Sequence, residues 1–314
     1  MKILLTGACG FVGTRLTESL LEAGHEVIGV DIMWFGNFLE PHDNLTVIEA
    51  DIRDVEKIPM DGVEAVLHLA NVANDPCADL DSKMNWEVNA LATKFLVEKA
   101  IDHGVKQFVY ASSGSVYGVK EELEVTEDLS LVPISDYNKT KMISERVLLS
   151  YMDQIGIQIV RPATVCGYSP RMRLDLSVNI LTMLGVTKGN ITVFGGDQTR
   201  PNIHILDMIG VYHHFLAHPE LSGIYNAGFE NLSIMEIAQR VKAKTGAEIT
   251  VTPSNDPRSY RLSSKKLVDT GFEPKYGVDT AINEVIELFK DGTLENKDAF
   301  HNIKMMKNLG LAIA

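Results

Sequence analysis

The sequence predicts an α/β fold: a doubly wound parallel sheet with helices on both faces, followed by a smaller C-terminal α/β lobe. Three observations carry this prediction. Short β-branched runs alternate with longer amphipathic stretches through residues 1–165, the pattern of strand-helix-strand units. The first run, Lys2-Ile3-Leu4-Leu5-Thr6, ends in Gly7-x-x-Gly10-x-x-Gly13 and passes into a helical pattern. After Arg161-Pro162 the alternation gives way to Pro-, Gly- and Arg-rich connections around further helices. A chain of 314 residues also exceeds a typical single core of about 100–150 residues and suits two lobes.

In chain order, strands are expected near 2–6, 26–31, 45–50, 64–69, 107–112 and 157–161, with helices near 11–23, 83–103 and 137–154. Ligands of such a sheet collect at the carboxyl ends of its strands, so the loops starting at Gly7, Asp31, Asp51, Leu69, Ser112 and Arg161 should converge. Further on, helices are expected near 176–186, 206–218, 233–245 and 278–291, and a strand near 224–227. Residues 1–165, completed by parts of 203–227, form the expected nucleotide-binding domain. Residues 166–202 and 228–314 form the second lobe, with 292–314 as a peripheral tail. The stretch 83–103 is apolar beyond one stripe, through Met84, Trp86, Val88, Leu91, Phe95 and Leu96. A helix apolar on more than one face must bury both, either inside a core or against a second copy in a homodimer.

Hydrophobic residues at 45% and charged residues at 23% describe an ordinary globular protein, and no apolar run reaches the length of a membrane span. The net charge of −13 disfavours non-specific binding to nucleic acid or anionic membranes. Cys9, Cys77 and Cys166 lie far apart in no metal-ligand spacing, which argues against a zinc site or disulfide framework and suits the reducing cytoplasm. No charged leader precedes the first strand, so secretion is not expected.

The glycine turn reads as a dinucleotide site. Gly7 allows the tight turn, Gly10 lets backbone approach a pyrophosphate, and Gly13 allows close packing of helix on strand. The helix starting near Phe11 and Val12 then points its free N–H groups at the phosphates. Asp31 ends the second strand about 20 positions later, where a carboxylate accepts hydrogen bonds from an adenosine ribose. No Arg or Lys follows closely to compensate a 2′-phosphate, so NAD is expected rather than NADP. Tyr137 and Lys141, four residues apart on one helical face, make a phenol beside an ammonium. The cation is expected to lower the phenol's pKa and fit it as a general base toward a sugar hydroxyl.

Together with Ser112-Ser113-Gly114-Ser115-Val116-Tyr117-Gly118, these residues occur in the order and spacing of the extended short-chain dehydrogenase/reductase family, which nearly the whole chain resembles. Asp51-Ile52-Arg53 is similar to the family's adenine-contacting segment, and His68-Leu69-Ala70-Asn71 to its fourth-strand loop. The resemblance extends to Asn89 and to Arg161-Pro162 followed by Val165-Cys166-Gly167. It implies a Rossmann domain in which Ser112, Leu69, Ala70, Asn89 and Pro162 contact the cofactor. It also implies that Ser113 bonds the reacting oxygen, Tyr137 moves its proton and Lys141 holds the nicotinamide ribose. Members commonly carry Tyr where Cys166 stands, so that residue's contacts do not transfer.

Segments 195–204 and 256–261 resemble those with which nucleotide-sugar enzymes of this family hold a diphosphate, which implies substrate roles for Arg200 and Arg258. The segment 169–179 looks like one found in a branch of nucleotide-sugar 4-epimerases and 4-dehydrogenases. There Asn179 matches a phosphate-binding asparagine, and Ser115 is placed beside the substrate with Ser113. Arg171 and Arg173 either touch sugar or phosphate or pair with Asp175. Dehydratases and decarboxylases of the family carry acidic residues after the catalytic serine or threonine, whereas Gly114 and Ser115 supply no carboxylate. The remaining chemistry is hydride transfer at C4 of a nucleotide-diphosphate sugar. A 4-epimerase is expected first, a net 4-dehydrogenase or 4-keto reductase second, and a non-catalytic dinucleotide sensor or scaffold as the reading of another class.

Overall fold

The computed structural model describes residues 1–254 and 259–312. Strands β1 (Lys2–Thr6), β2 (Glu26–Asp31), β3 (Leu45–Glu49), β4 (Ala65–His68), β5 (Gln107–Ala111) and β6 (Gly156–Pro162) interleave with helices α1 (Phe11–Glu22), α2 (Asp75–Ala78), α3 (Ser82–Trp86), α4 (Ala92–Asp102) and α5 (Asp136–Leu149). Then come β7 (Thr164–Cys166), α6 (Ser177–Lys188), β8 (Asn190–Phe194), β9 (Thr199–His204), α7 (Ile205–Ala217), β10 (Gly223–Ala227), β11 (Glu230–Ser233) and α8 (Ile234–Thr245). The chain ends with β12 (Glu248–Thr252), α9 (Lys265–Val268), α10 (Val278–Lys290) and α11 (Asn302–Asn308).

The seven strands expected from the sequence make one sheet, in the order β10-β6-β5-β4-β1-β2-β3, and every pair in it is parallel. Both faces are covered, which is why the central strands read as unbroken apolar runs. Ile3 and Leu5 of β1 face one core with Leu16 and Leu20 of α1 and Phe215 of α7, while Leu4 faces the other with Leu96 of α4 and Leu148 of α5. Both β10 and α7 return from beyond the first 165 residues to complete this layer. The sheet order reverses between β1 and β4, and crevices at such reversals take ligands.

Three features were not expected. The Pro- and Gly-rich connections contain five short strands, arranged as β11-β9-β7 and β12-β8. These are three to six residues long and carry polar residues even where they are buried, as at Asn202 and His204 of β9, so they show no apolar period. The stretch read as one helix over 83–103 is interrupted by a wide π-turn at Glu87–Leu91. The described part of the expected tail, 292–312, is not peripheral: Phe300 and Met306 are buried in the two main cores. Among the described residues no helix is long and apolar enough to cross a membrane.

Within the π-turn the carbonyl of Asn89 accepts from Thr93 Oγ1 at 2.8 Å and Ser144 Oγ at 2.7 Å. Because Thr93 spends its proton there, its oxygen must accept from His68 Nε2 at 2.9 Å, leaving His68 Nδ1 to accept from Thr6 Oγ1 at 2.7 Å. One tautomer of a fully buried imidazole thus joins β1, β4 and α4. Burial, with Lys141's charge second, pushes its pKa from 6.5 down to about 3. The unfolded chain therefore holds a proton that the folded chain refuses between those values. Stability should be complete above pH 6.5 and fall by about 1.4 kcal/mol for each pH unit below it. Urea unfolding between pH 4 and 7 measures this slope, and a His68→Asn variant should lose the imidazole's share.

Candidate active site

The carboxyl ends of the sheet open into a cavity of about 520 Å³, within the size range of small-molecule sites. At its floor is the glycine turn. Gly7 has φ +76°, and a Cβ at position 13 would lie 1.9 Å from the Gly7 carbonyl oxygen, so no other residue fits at 13 without moving the helix. The N-cap of α1 is Gly10, with no side chain capping the helix and no acidic residue in its first turn. The first N–H groups, at Phe11 and Val12, therefore face the cavity. Asp31 Oδ2 accepts from Cys9 N at 3.0 Å and Oδ1 from Met33 N at 2.8 Å, which fixes the carboxylate at the cavity wall. Burial raises its pKa, opposed by those backbone bonds. Asp51, Ile52, Leu69, Ala70, Ser112 and Pro162 line the same wall.

The wall near β5 carries Ser113, Ser115 and Tyr137. Asp75 at the start of α2 accepts from the Ser135 hydroxyl and, at 3.1 Å, from Asn138 Nδ2. That bond orients the Asn138 amide so that its oxygen accepts from Ser115 Oγ. With Ser115's proton committed, Ser113 Oγ donates to Ser115 at 2.7 Å. Ser113 Oγ also lies within hydrogen-bonding reach of the Tyr137 phenol, and turned toward it the serine hydroxyl favours the phenolate.

Lys141 does not lower the phenol's pKa as expected. Burial first and the Asp75 charge second push Tyr137 above its ordinary value, against Ser113 and Arg173. Burial likewise pushes Lys141 down to about 7, against the pull of Glu145. The ammonium stands 5.9 Å from the Tyr137 ring and donates to Ala111 O at 2.7 Å, so desolvation outweighs the pairing for both groups.

Other expected residues lie behind the wall. Lys141 is buried and outside the cavity lining. The Asn89 side chain is spent on Val72 N, Val72 O and Asn85 Oδ1; it pins the loop after β4 instead of facing the cavity. Asn179 accepts from Gly167 N and donates to Gly167 O and Arg173 O, so its amide is used to shape the segment and does not reach the cavity. Arg171, Arg173 and Arg200 do line it. Arg173 pairs with Asp175 at 2.6 Å, whereas Arg171 does not. Arg258 lies outside the described residues.

Two contributors were missed. Asp75 brings a carboxylate to the cavity from a loop other than the serine motif, and the Asn74-Asp75-Pro76 helix start was its available signal. Asn302, from the supposed tail, also lines the cavity, and nothing local in its sequence marks it.

The model of the NAD dependent epimerase/dehydratase family matches residues 3–228. A Bacillus subtilis relative described as an uncharacterized UDP-glucose epimerase is 30% identical over 80% of this chain and 84% of its own. The UDP-glucose 4-epimerase of Halalkalibacterium halodurans is 28% identical over 95% and 99%. Among solved structures, the Bacillus cereus UDP-glucuronic acid 4-epimerase in complex with UDP-glucuronic acid and NAD superposes with a TM-score of 0.81 at 26% identity, covering 93% of this chain and 99% of that one.

The placement of Asp31 generates a test of cofactor choice. NAD should bind at least about tenfold more tightly than NADP, and Asp31→Ala should weaken NAD about tenfold while narrowing that gap, since a hydrogen bond to a charged group is lost. Quenching of Trp34, which lines the cavity, reports both affinities.

Proposed function

The chain belongs to the NAD-dependent epimerase/dehydratase family, and from that premise we propose that it is a nucleotide-sugar 4-epimerase. The observation that carries the reading is the convergence of Ser113 and Tyr137 on the cavity that the glycine turn and Asp31 also line. NAD fits these residues: the cradle excludes a Cβ at position 13, and the first N–H groups of α1 suit phosphate.

When bound, NAD supplies the acceptor, and later the donor, of the C4 hydride. Tyr137, its phenolate favoured once the positive charge of a bound cofactor offsets burial, would take the C4 hydroxyl proton on oxidation and return it on reduction of the 4-keto sugar. Ser113 would turn its hydroxyl from Ser115 to the same oxygen, its side chain positioned by Ser115, Asn138 and Asp75. Lys141 supports the tyrosine from behind the wall, and to hold the nicotinamide ribose its ammonium would have to turn from Ala111 O. Arg200, which lines the cavity, would meet the sugar nucleotide's diphosphate, for which planar guanidinium donors are suited. The domain division we propose follows from this: 1–165 with parts of 203–227 for the cofactor, 166–202 and 228–314 for the sugar nucleotide.

A homodimer is part of the proposal. Trp86, Leu91, Phe95 and Ile143 are large apolar residues left exposed on α3, α4, α5 and the π-turn between α3 and α4, and a second copy would cover them. Three buried free thiols suit a cytoplasmic setting.

Incubated with NAD and a panel of UDP-, GDP- and CDP-sugars, the protein should yield a sugar isomer of unchanged mass without accumulating reduced cofactor. A product two mass units lighter with stoichiometric reduced cofactor would instead make it a net dehydrogenase. Tyr137→Phe should lower turnover by about a hundredfold or more; unchanged turnover would remove Tyr137 from the chemistry. Light scattering should give twice the chain mass, and a monomer would sink the dimer.

A further inference from the structure

Arg171 belongs in sequence to the second lobe, yet its guanidinium reaches the cofactor side of the cavity. It lies 4.1 Å over the ring of Phe35, in the loop after β2, and the charge of Asp31 is felt there. The residue is 1% exposed and still lines the cavity. Its Nη2 donates to Asn302 Oδ1 at 2.5 Å and its Nη1 to Met172 O at 3.3 Å, both neutral acceptors. Its Nε is buried and makes no hydrogen bond among the described residues.

The neighbouring carboxylates are already engaged. Asp175 accepts from Arg173 at 2.6 Å and from Asn302 N at 3.0 Å, and Asp31 is held by two backbone N–H groups. Two adjacent buried guanidiniums thus share one directly paired carboxylate. Burying an unpaired cation is expensive unless an anion completes the site. Burial first, and the like charge of Arg173 second, push Arg171 down to about 9, the mark of that cost.

We propose that Arg171, held in place by Asn302, is a phosphate site for the cofactor's pyrophosphate, and that the C-terminal segment is thereby a latch on the dinucleotide. The chemistry is that of a diphosphate, which both cofactor and sugar nucleotide carry. The position beside Asp31, the last residue of β2, and Phe35, in the loop after it, assigns it to the cofactor, because that strand end is where the adenosine half of a dinucleotide is expected. The latch is built from both sides. Asn302 binds Arg171 with its side chain and Asp175 with its backbone, Leu174 N donates to Phe300 O at 2.8 Å, and Phe300 packs against Phe38 with ring centroids 6.0 Å apart. The proposal rests on the NAD-binding part of the functional reading and is independent of the chemistry at C4.

The test uses the full chain and needs no turnover. Affinities for NAD, ADP-ribose and UDP are measured by Trp34 quenching or calorimetry, and the NAD dissociation rate by chasing with excess ADP-ribose. Arg171→Gln should weaken NAD and ADP-ribose alike by about tenfold to a hundredfold, the value of a hydrogen bond to a charged group, and leave UDP unchanged. Asn302→Ala keeps the cation but frees it, so it should speed NAD dissociation severalfold and remains informative if the arginine variant does not fold. Loss of UDP affinity with NAD unchanged would assign the site to the substrate and overturn the proposal. Unchanged affinities and dissociation rate in Asn302→Ala would also overturn it, leaving the cluster as packing alone. A protein that binds NAD through Arg171 but epimerises none of the sugars would refute the epimerase reading and leave this one standing.

Discussion

The arrangement of reacting groups depends on one buried ion pair. Arg161, near the end of β6, donates to Glu145 of α5 through Nε at 2.9 Å and Nη2 at 2.6 Å, and both residues are almost wholly buried. The same carboxylate accepts from Ser112 Oγ at 2.5 Å, at the end of β5. Arg161 Nη1 also donates to Tyr117 OH at 2.6 Å, which donates in turn to Asn226 Oδ1 of β10 at 2.8 Å. The helix that carries Tyr137 and Lys141 is thus tied to the strand that leads into Ser113, and both to the strands that border the second lobe. Removing one partner would strand the other charge at a cost of about 3–5 kcal/mol. An apolar pair of the same volume would hold the helix without fixing its rotation or register, and those decide whether Tyr137 and Ser113 meet.

A second polar layer lies between sheet and cavity, built on the same logic of complete satisfaction. Thr6, His68 and Thr93 pass hydrogen bonds in a forced direction to the Asn89 carbonyl, where Ser144 also donates, and the Asn89 side chain closes around Val72 at the loop after β4. A network of this kind is rigid because reversing any member leaves a buried donor or acceptor unpaired. That explains why Asn89 matches a family position associated with the cofactor and yet faces away from the cavity: it acts by fixing the loop that lines it. The π-turn belongs to the same layer, since Asn89, whose carbonyl takes both the Thr93 and the Ser144 hydroxyls, lies within it.

What could be read in the sequence was local. Ile3, Leu4 and Leu5 announce a strand buried on both faces, Gly7, Gly10 and Gly13 announce the turn after it, and Tyr137 with Lys141 share a helix face by spacing alone. Each signal lies within about two helical turns of chain. Interactions between distant segments were not legible. Asp75 meets Ser135 across 60 positions and Arg171 meets Asn302 across 131, and no periodicity encodes either. Strands β8 and β12 escaped for another reason: they pair with each other in a two-stranded sheet of five residues each, and β12 buries none of its residues, so no apolar period marks it. The direction of the Tyr137 shift was misjudged because charge spacing is visible in a sequence and desolvation is not.

The segment between β7 and α6 shows how the two lobes come to share one cavity. Gly167 has φ +104°, and a Cβ there would stand 2.8 Å from the His204 ring, so the chain can turn sharply only at that residue. Asn179, at the start of α6, reaches back to both backbone groups of Gly167 and to the carbonyl of Arg173, closing the segment into a loop stitched from inside. A side chain spent on shape is lost to the ligand, but the stiffened loop presents Arg171 and Arg173 at fixed positions on the cavity wall. Long arginine side chains carry large rotamer entropy when free, and most of it is already lost here to Asn302, Phe35 and Asp175 before any ligand arrives. The second lobe therefore contributes its cations to the cavity in a prearranged geometry, and the cost of ordering them is borne by the fold and not by binding.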